Sequence, residues 1–370
     1  MLIIFVDAKG ENMKKVMLVF GTRPEAIKMC PLVNELKSRK DIITKVCVSG
    51  QHREMLDRAL ADFCIKADHS FEVARDGETL GELAGRLLFD IGRKLDETVP
   101  ERVVVHGDTI SAFCASLAAF YRGIEVAHVE AGLRSGNVRE PFPEELDRRF
   151  ISLVASIHFA PTEIARRALI KEGINKRKIF VTGNTVTDAL ELTRSLSFTM
   201  PSGLAERYAI LTVHRRENLP KLEEIFSAVR ESAERSGIGI LYPVHKNPYV
   251  SECAVRVLSG SEKIVMTDPL SVGEFHFFLR KSAFVITDSG GVQEEAAFLG
   301  KTIILLRNNT ERKELLSYKG LKIAGTDKTA IEKAIISLAE KCAEEKYERM
   351  IKPMGSLGAS VKIADVLSEI

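Results

Sequence analysis

The chain has 370 residues, with 53 lysines and arginines against 51 aspartates and glutamates, so its net charge is only +2. A chain of this length usually folds as two domains. The balanced charge argues against nucleic-acid and membrane partners, and any positive potential must be local. The apolar run at 2–6 is too short for a signal peptide or a membrane span. We expect residues 1–13 to be an extension that precedes the fold.

Cysteine usage favours a reducing compartment. The six cysteines stand at positions 30, 47, 64, 114, 253 and 342. They form no CxxC pair, and most of them lie in apolar runs such as 45–48. This pattern predicts buried structural thiols in a cytoplasmic protein and no zinc site.

The first half of the chain alternates short apolar strands with amphipathic helices. Strands are predicted at 15–20, 43–49, 102–106, 125–129, 157–160 and 179–182. A helix is predicted at 81–95, where apolar residues recur on one face. Continuous apolar strands such as that at 102–106 fit burial on both faces of a parallel sheet. The alternation predicts an α/β fold with a doubly wound parallel sheet.

The same alternation resumes after an irregular stretch at 192–207, which we interpret as a linker. Further strands are predicted at 208–213, 238–242, 264–266, 284–287 and 302–306, with helices from there to the C-terminus. We therefore predict two Rossmann-like domains, at 14–186 and 187–355, with strand ends directed toward a shared cleft. The C-terminal helix at 356–370 is expected to pack back on the first domain.

The stretch at 283–295 carries the clearest ligand signal. A strand is followed by Asp288, the turn Ser289-Gly290-Gly291 and a helical pattern. Amides at a helix N-terminus attract anions, and two glycines allow a ligand to approach the main chain. Glu295 is placed to reach past a bound phosphate to a ribose diol. The turn predicts a phosphate site, although a simple strand–turn–helix unit explains the same residues.

Charged residues also follow many other predicted strands. In the first half they are Arg23, Lys28, Asp108, Glu130, Arg134, Glu144, Glu145 and Arg148; in the second half they are His214, Arg215, Arg216, His245, Glu295 and Arg312. Each alone has an ordinary explanation, such as a helix cap or a surface charge. Together, cations beside a glycine turn suit a diphosphate, and carboxylates suit acid–base work on an uncharged group attached to it.

Ten motifs, in chain order, resemble those of the non-hydrolysing UDP-N-acetylglucosamine 2-epimerases. They are GTRPEAIK (21–28), QHREML (51–56), HGDT (106–109), HVEAGLRS (128–135), PFPEE (141–145), GNTVTDAL (183–190), HRREN (214–218), PVHKNP (243–248), TDSGGVQEEA (287–296) and NNTER (308–312). The resemblance implies a glycosyltransferase B fold, with the nucleotide sugar in the cleft between two domains. It also implies a homodimer, no cofactor and no metal, and a product that feeds polysaccharide biosynthesis.

The resemblance also implies roles for individual residues. Those implied to bind the UDP-sugar are Arg23, Lys28, Arg148, Phe275, Ser289, Gly290, Gly291, Glu295 and Arg312. Among these, the glycine turn would hold the diphosphate, Glu295 the ribose, and Phe275 would lie beside the uracil. The implied catalytic residues are Asp108, Glu130, Glu144 and His214. A possible second nucleotide-sugar site, which would act as an activator, would involve Gln51, His52, Arg216 and His245.

The chemistry of inversion at C2 explains why these residue types are needed. No carbonyl is conjugated to the C2–H bond, so an enolate route is closed. The proton becomes removable if UDP leaves from C1 in the same event, which gives a 2-acetamidoglucal. Cations then stabilise the leaving diphosphate, and carboxylates remove and return the proton on opposite faces. The sequence does not order the roles among Asp108, Glu130 and Glu144.

Departures from the family pattern leave room for different substrates and activities. Asp147 stands before Arg148 where the family usually has Asn, Pro220 replaces a common glycine, and Lys313 replaces the usual proline. These changes would fit an epimerase of a related, modified UDP-N-acetylhexosamine. A glycosyltransferase of the same fold and a non-catalytic nucleotide-sugar sensor are also compatible with the motifs.

Overall fold

The computed structural model describes residues 13–50, 53–71, 75, 77–308, 310, 312–341 and 357–370. The chain separates into two compact units. The first unit contains the described residues up to Leu192 together with the C-terminal helix, and the second unit begins at Thr193. Within the described ranges, no helix combines the length and the apolarity that crossing a membrane requires.

The first unit is built on a seven-stranded parallel sheet. Its strands are β1 (Lys14–Phe20), β2 (Ile42–Ser49), β3 (His69–Phe71), β4 (Arg102–His106), β5 (Glu125–Val129), β6 (Ile157–Ala160) and β7 (Ile179–Val181). Their order across the sheet is β3-β2-β1-β4-β5-β6-β7. The helices are α1 (Arg23–Ser38), α2 (Arg53–Asp62), α3 (Leu80–Thr98), α4 (Ile110–Phe120), α5 (Glu144–Val154), α6 (Glu163–Lys171) and α7 (Val186–Leu192).

The second unit repeats the plan with six parallel strands. They are β8 (Tyr208–Thr212), β9 (Gly239–Pro243), β10 (Ile264–Thr267), β11 (Phe284–Thr287), β12 (Thr302–Leu305) and β13 (Leu321–Ile323). Their order is β10-β9-β8-β11-β12-β13. The helices are α8 (Leu222–Ser236), α9 (Pro248–Leu258), α10 (Val272–Lys281), α11 (Gly290–Phe298) and α12 (Lys328–Lys341). Among the described residues, 3₁₀ segments also occur at Lys176–Lys178 in the first unit and at Arg216–Lys221 and Lys313–Ser317 in the second.

The last helix, α13 (Ala359–Glu369), packs against α1 and α7 of the first unit. Its fully buried face consists of Ala359, Ile363, Ala364 and Leu367. Asp188 of α7 accepts hydrogen bonds at 2.7 Å from the backbone amides of Gly358 and Ser360. These two amides belong to the first turn of α13, where no intrahelical acceptor exists, so the carboxylate fixes the start of the helix.

The prediction of two doubly wound Rossmann-like domains is confirmed by the sheets. In both sheets, the strand order reverses its direction beside the first strand of the unit. In such folds, ligands bind at this point, which is called the topological switch point. One sequence prediction is wrong: the chain after Arg312 is not only helical, because β13 adds an edge strand beside β12. A three-residue strand with half-exposed and exposed side chains carries no period-2 signal that a sequence reading could use.

Candidate active site

The ends of β4 and β5 bring two carboxylates to one edge of the first sheet. The two strands pair in parallel, with His106 opposite Val129. The Gly107 amide donates to the Val129 carbonyl at 3.0 Å, which holds the strand ends together. Gly107 has φ +65°, a conformation that favours glycine. Asp108 and Glu130 follow directly, and so lie at neighbouring positions where this fold binds ligands.

Glu130 has a side chain that is only 7% exposed and an uncommon backbone conformation. Its φ is +63°, which a residue with a side chain adopts at a cost of about 1–3 kcal/mol. Its carboxylate accepts a hydrogen bond from the Lys28 ammonium. It also accepts one from Asn184 Nδ2 at 3.3 Å, and His106 Nε2 lies 3.7 Å away. A largely buried side chain, a paired charge and a strained backbone together make Glu130 a candidate functional residue.

Arg148 holds the second carboxylate, Asp108. The guanidinium is buried and donates to Asp108 through Nη2, and to Glu145 Oε2 at 3.2 Å through Nη1. Glu145 is fully buried and also accepts from the Ser135 amide at 3.0 Å. Glu145 therefore orients Arg148, and Arg148 in turn fixes Asp108.

The first turn of α5 adds two more carboxyl groups, on Glu144 and Asp147. Glu144 Oε2 and Asp147 Oδ2 are buried and have no hydrogen-bond partner among the described residues. Burial raises the pKa of Asp147 to about 7, and the negative charges of Asp108 and Glu144 act in the same direction. The edge of this sheet thus carries groups able to give and to take protons near neutral pH.

A buried carboxyl at the start of α1 connects two of these loops. Glu25 accepts from the amides of Gly21 and Thr22, at 3.0 and 2.8 Å, and from the Thr109 hydroxyl at 2.8 Å. With Thr22 it forms a capping box, which begins α1 at Arg23. Burial raises the pKa of Glu25 to about 7, although its hydrogen bonds act in the opposite direction. This contact joins the loop after β1 to the loop after β4, and so supports Asp108.

In the second unit, the glycine turn opens α11 directly after β11. Ser289 is the N-cap residue, but its side chain makes no capping hydrogen bond. A Cβ on Gly291 would meet no atom of the protein within 4 Å, so space is open beside this residue. The first amides of a helix have no intrahelical acceptor, and the helix dipole favours an anion there. The turn therefore has the form of a phosphate site.

Asp288 fixes the loop that carries His214. It is fully buried and accepts hydrogen bonds from the amides of His214 and Arg215, at 3.0 and 2.9 Å, and from Asn218 Nδ2 at 3.0 Å. His214 Nδ1 lies 3.2 Å from the same carboxylate. Burial lowers the pKa of His214, even though Asp288 acts to raise it. The imidazole is therefore neutral at neutral pH, and Asp288 fixes its position beside the glycine turn.

Glu295 lies one turn further into α11 and is buried. Its Oε2 has no hydrogen-bond partner in the part of the chain that the structure describes. Its Oε1 is 3.8 Å from His276 Nε2, and His276 Nδ1 in turn is 2.8 Å from the Thr193 hydroxyl. Phe275, next to His276 on α10, is half-buried against the core of the second unit. Glu295 can therefore accept a hydroxyl group through its second oxygen.

Arg312 is held against α11 by an ion pair. Its Nε lies 2.5 Å from Oε1 of the fully buried Glu294. Its amide donates to the Thr310 hydroxyl, which donates to Gln293 Oε1, both at 3.1 Å. Gln293 Nε2 donates to the Ser289 carbonyl at 3.1 Å, so the loop after β12 is fastened to the glycine turn.

The other predicted site residues have these positions. Arg23 is half-buried at the first position of α1, and Arg216 is exposed at the start of its 3₁₀ segment. His245 is exposed and stacks on His214 at a ring distance of 5.7 Å. Gln51 and His52 lie outside the described residues. The roles of all these residues, including the activator site, stay predictions.

Sequence reasoning missed three residues that the structure places at these edges. Asn184 donates to Glu130, Asp288 organises the His214 loop, and Asp147 is buried beside Asp108 and Glu144. Asn184 and Asp288 stand inside quoted motifs, GNTVTDAL and TDSGGVQEEA, and their position after a strand was the available signal. Asp147 was visible only as a departure from a pattern.

Comparison with known proteins gives a consistent result. Residues 34–368 match the family model described as UDP-N-acetylglucosamine 2-epimerase. The chain is 44% identical over 363 residues to the UDP-N-acetylglucosamine 2-epimerase of Bacillus subtilis (strain 168), and the match covers 95% of this chain and 94% of that protein.

Solved structures of related proteins match nearly the full length of the chain. The crystal structure of UDP-GlcNAc 2-epimerase from Neisseria meningitidis bound to UDP-GlcNAc matches with a TM-score of 0.89 at 36% identity, and covers 96% of this chain and 100% of that chain. The S. aureus MnaA-UDP co-structure matches with a TM-score of 0.89 at 39% identity, and covers 96% of both chains. The two Rossmann-like units therefore have the glycosyltransferase B-like fold that these proteins share.

Proposed function

Because the chain belongs to the UDP-N-acetylglucosamine 2-epimerase family, whose members are isomerases of the non-hydrolysing kind, we propose that it interconverts UDP-N-acetylglucosamine and UDP-N-acetylmannosamine. The observation that carries this proposal is the pair of ion contacts at the ends of β4 and β5. Lys28 contacts Glu130 and Arg148 contacts Asp108, so two carboxylates are held ready at one sheet edge. Relatives with solved structures bind UDP-GlcNAc and UDP, which supports the same ligand class here.

The proposed reaction is an elimination followed by re-addition. A carboxylate removes the proton from C2 while the bond between C1 and the diphosphate oxygen breaks, and its electron pair leaves with UDP. The intermediate is a 2-acetamidoglucal. UDP then adds back to C1, and an acid returns a proton to C2 on the opposite face. Asp108, Glu130 and Glu144 are the candidates for proton transfer, because two faces of the ring need two groups.

We propose that the second unit binds the UDP part of the substrate. The Ser289 hydroxyl and the amides of Gly290 and Gly291 are proposed to bind the diphosphate, whose negative charge grows as the C1–O bond breaks. The unpartnered Oε2 of Glu295 is proposed to accept a ribose hydroxyl, and Phe275 to lie beside the uracil. His214 and Arg312, each fixed by a buried carboxylate, are proposed to contact the phosphates.

Exchange of the C2 proton with solvent tests the reaction. The enzyme is incubated with UDP-N-acetylglucosamine in heavy water and followed by proton NMR. We expect loss of the C2 proton signal and appearance of the mannosamine epimer. Conversion without deuterium at C2, or transfer of the sugar to an acceptor with C2 intact, would exclude the proposed mechanism; the second result would indicate a glycosyltransferase.

Two further features of the enzyme are proposals. We propose a homodimer, because the adjacent helices α3, α4 and α5 expose large apolar side chains, including Phe89, Phe120 and Leu153. Sedimentation velocity tests it, and a monomer at micromolar concentration would exclude it. We also propose a cytoplasmic enzyme, in keeping with the five cysteines among the described residues, all of which are free thiols.

A further inference from the structure

One buried carboxyl group has no place in the reaction described above, and it lies beside the groups that do. Asp147 is the fourth residue of α5 and is 4% exposed. Its Oδ2 has no hydrogen-bond partner among the described residues. A buried ionised carboxylate without a partner is costly, so this group is stable only if it keeps a proton or if a partner arrives.

The charges around Asp147 favour the protonated form of its carboxyl group. Asp108 faces it from the loop after β4 and Glu144 faces it from its own helix, and both disfavour ionisation, while the positive charge of Arg148 acts against them. The Arg148 guanidinium already donates hydrogen bonds to Asp108 and Glu145. Arg149 also pairs with Glu145, at 3.0 Å, so Arg148 is left beside three carboxylates, those of Asp108, Glu144 and Asp147. One cation cannot neutralise three carboxylates, and like charges at close range disfavour the charged form.

From the loop after β5, Arg134 donates to Ser152 of α5 at 2.9 Å, but its charge is paired with Glu172. On α4, Cys114 is the titratable group that faces Asp147, and its buried thiol stays neutral. On β5, His128 contacts the Gly107 carbonyl at 2.8 Å and Glu125 pairs with Arg102. Burial and these neighbours raise the pKa of Asp147 to about 7, so the proton is lost within the working range of an enzyme.

We propose that Asp147 is a positioning residue for the epimerisation, whose carboxyl group carries a proton in the active enzyme and so leaves Arg148 to pair with Asp108. When Asp147 ionises, it competes with Asp108 for the guanidinium and adds a negative charge next to the reacting carboxylates. Activity then falls as pH rises through neutrality. This inference rests on the proposed function, because Asp108 matters only if it takes part in proton transfer.

The test compares Asp147→Asn with the wild type. Asparagine keeps the shape and can still form hydrogen bonds, but it cannot ionise. We measure kcat and KM for UDP-N-acetylglucosamine from pH 5.5 to 9.5. At pH 6 the variant should stay within about threefold of the wild type, because both side chains are neutral there. Above pH 7 the wild-type kcat should fall, and the alkaline midpoint of the variant should lie at least one pH unit higher.

The matched control is Asp96→Asn, which removes an exposed carboxylate that pairs with Arg122 on the same unit. Its pH profile should coincide with that of the wild type. Superimposable alkaline limbs for Asp147→Asn and the wild type would overturn the inference. Asp147→Ala, which removes the carboxyl group that fills the space beside Arg148, should lower kcat at pH 6 while KM changes little.

A second readout does not depend on activity. Folding raises the pKa of Asp147 above its ordinary value of 3.8, so the wild type should lose stability relative to Asp147→Asn as pH rises from 4 to about 7. The difference in Tm should grow over this range and stay constant above it. Identical Tm profiles would show that Asp147 is not protonated in the folded protein. A wild type that does not epimerise the substrate, but shows the Tm difference, would contradict the proposed function instead.

Discussion

The two units differ in how they hold polar groups at the carboxyl ends of their strands. In the first unit, two of the three candidate carboxylates have a cation of the same unit beside them, in the pairs Lys28–Glu130 and Arg148–Asp108. In the second unit, the glycine turn offers backbone amides, and the buried carboxylates Asp288 and Glu294 fix the side chains around it. The first arrangement sets protonation states, and the second sets the position of an anion. We therefore expect substitutions in the first unit to change kcat and those in the second to change KM.

The largest expected effect comes from Asp108→Asn. Loss of a general acid or base lowers the rate about 10²–10⁴-fold. We expect this fall in kcat for UDP-N-acetylglucosamine, with KM nearly unchanged, and an equal fall in deuterium incorporation at C2. A purely binding role would instead raise KM and leave kcat intact, and a sensor without catalytic activity would bind UDP-sugars with or without Asp108.

Glu295→Gln should weaken binding of the nucleotide rather than slow the chemistry. A hydrogen bond to a charged group contributes about 1.5–3 kcal/mol, so Kd for UDP should rise about tenfold or more. Calorimetry measures Kd for UDP and for 2′,3′-dideoxy-UDP with both proteins. The wild type should discriminate between the two ligands and the variant should not. Equal discrimination by both proteins would remove Glu295 from the ribose site.

Gly291→Ala separates binding from stability. The added methyl group meets no protein atom within 4 Å, so the fold accepts it, and Ala in a helix is favoured over Gly by about 0.5–1 kcal/mol. We expect Tm to rise while KM increases about tenfold, because the methyl group stands where a phosphate approaches. Gly85→Ala on α3 is the matched control, since its Cβ also has open space. It should raise Tm and leave KM unchanged; an unchanged KM for Gly291→Ala would contradict the phosphate site.

The smallest effect on catalysis is expected for Asp188→Ala. It removes the acceptor of two amides at the start of α13, which should cost about 1–2 kcal/mol of unfolding free energy. Chemical denaturation measures this loss, and the kcat of the folded fraction should stay near that of the wild type. A large fall in kcat would mean that the docking of α13 affects the carboxylate edge.

The sequence was sufficient for the fold class and for most strand ends, because strand, turn and helix signals are local. The sequence did not predict contacts between side chains that lie far apart in the chain. Lys28 was expected to contact phosphate, yet in the structure its ammonium donates to Glu130, which lies 102 residues away. Only the sheet order, which sets β4 between β1 and β5, brings these two residues together.

The sequence also did not predict the backbone conformation of Glu130 or the burial of Asp147. The left-handed backbone of Glu130 occurs where a glycine would normally stand, and no residue preference predicts it. The burial of Asp147 depends on how α5 lies against α4 and the loop after β4, which is a property of packing and not of local sequence. Both features belong to the candidate site, where local rules are expected to fail.

The position of α13 has a consequence for biosynthesis. The ribosome makes most of the first unit before the second unit, yet the buried face of the first unit is completed by α13, which follows the second unit in the chain. During translation the side of α1 that contacts α13 stays uncovered until α13 has left the exit tunnel. All elements of the second unit have been synthesised by then. The unit that is started first is therefore completed after the other, and a stop codon anywhere before α13 would leave it incomplete.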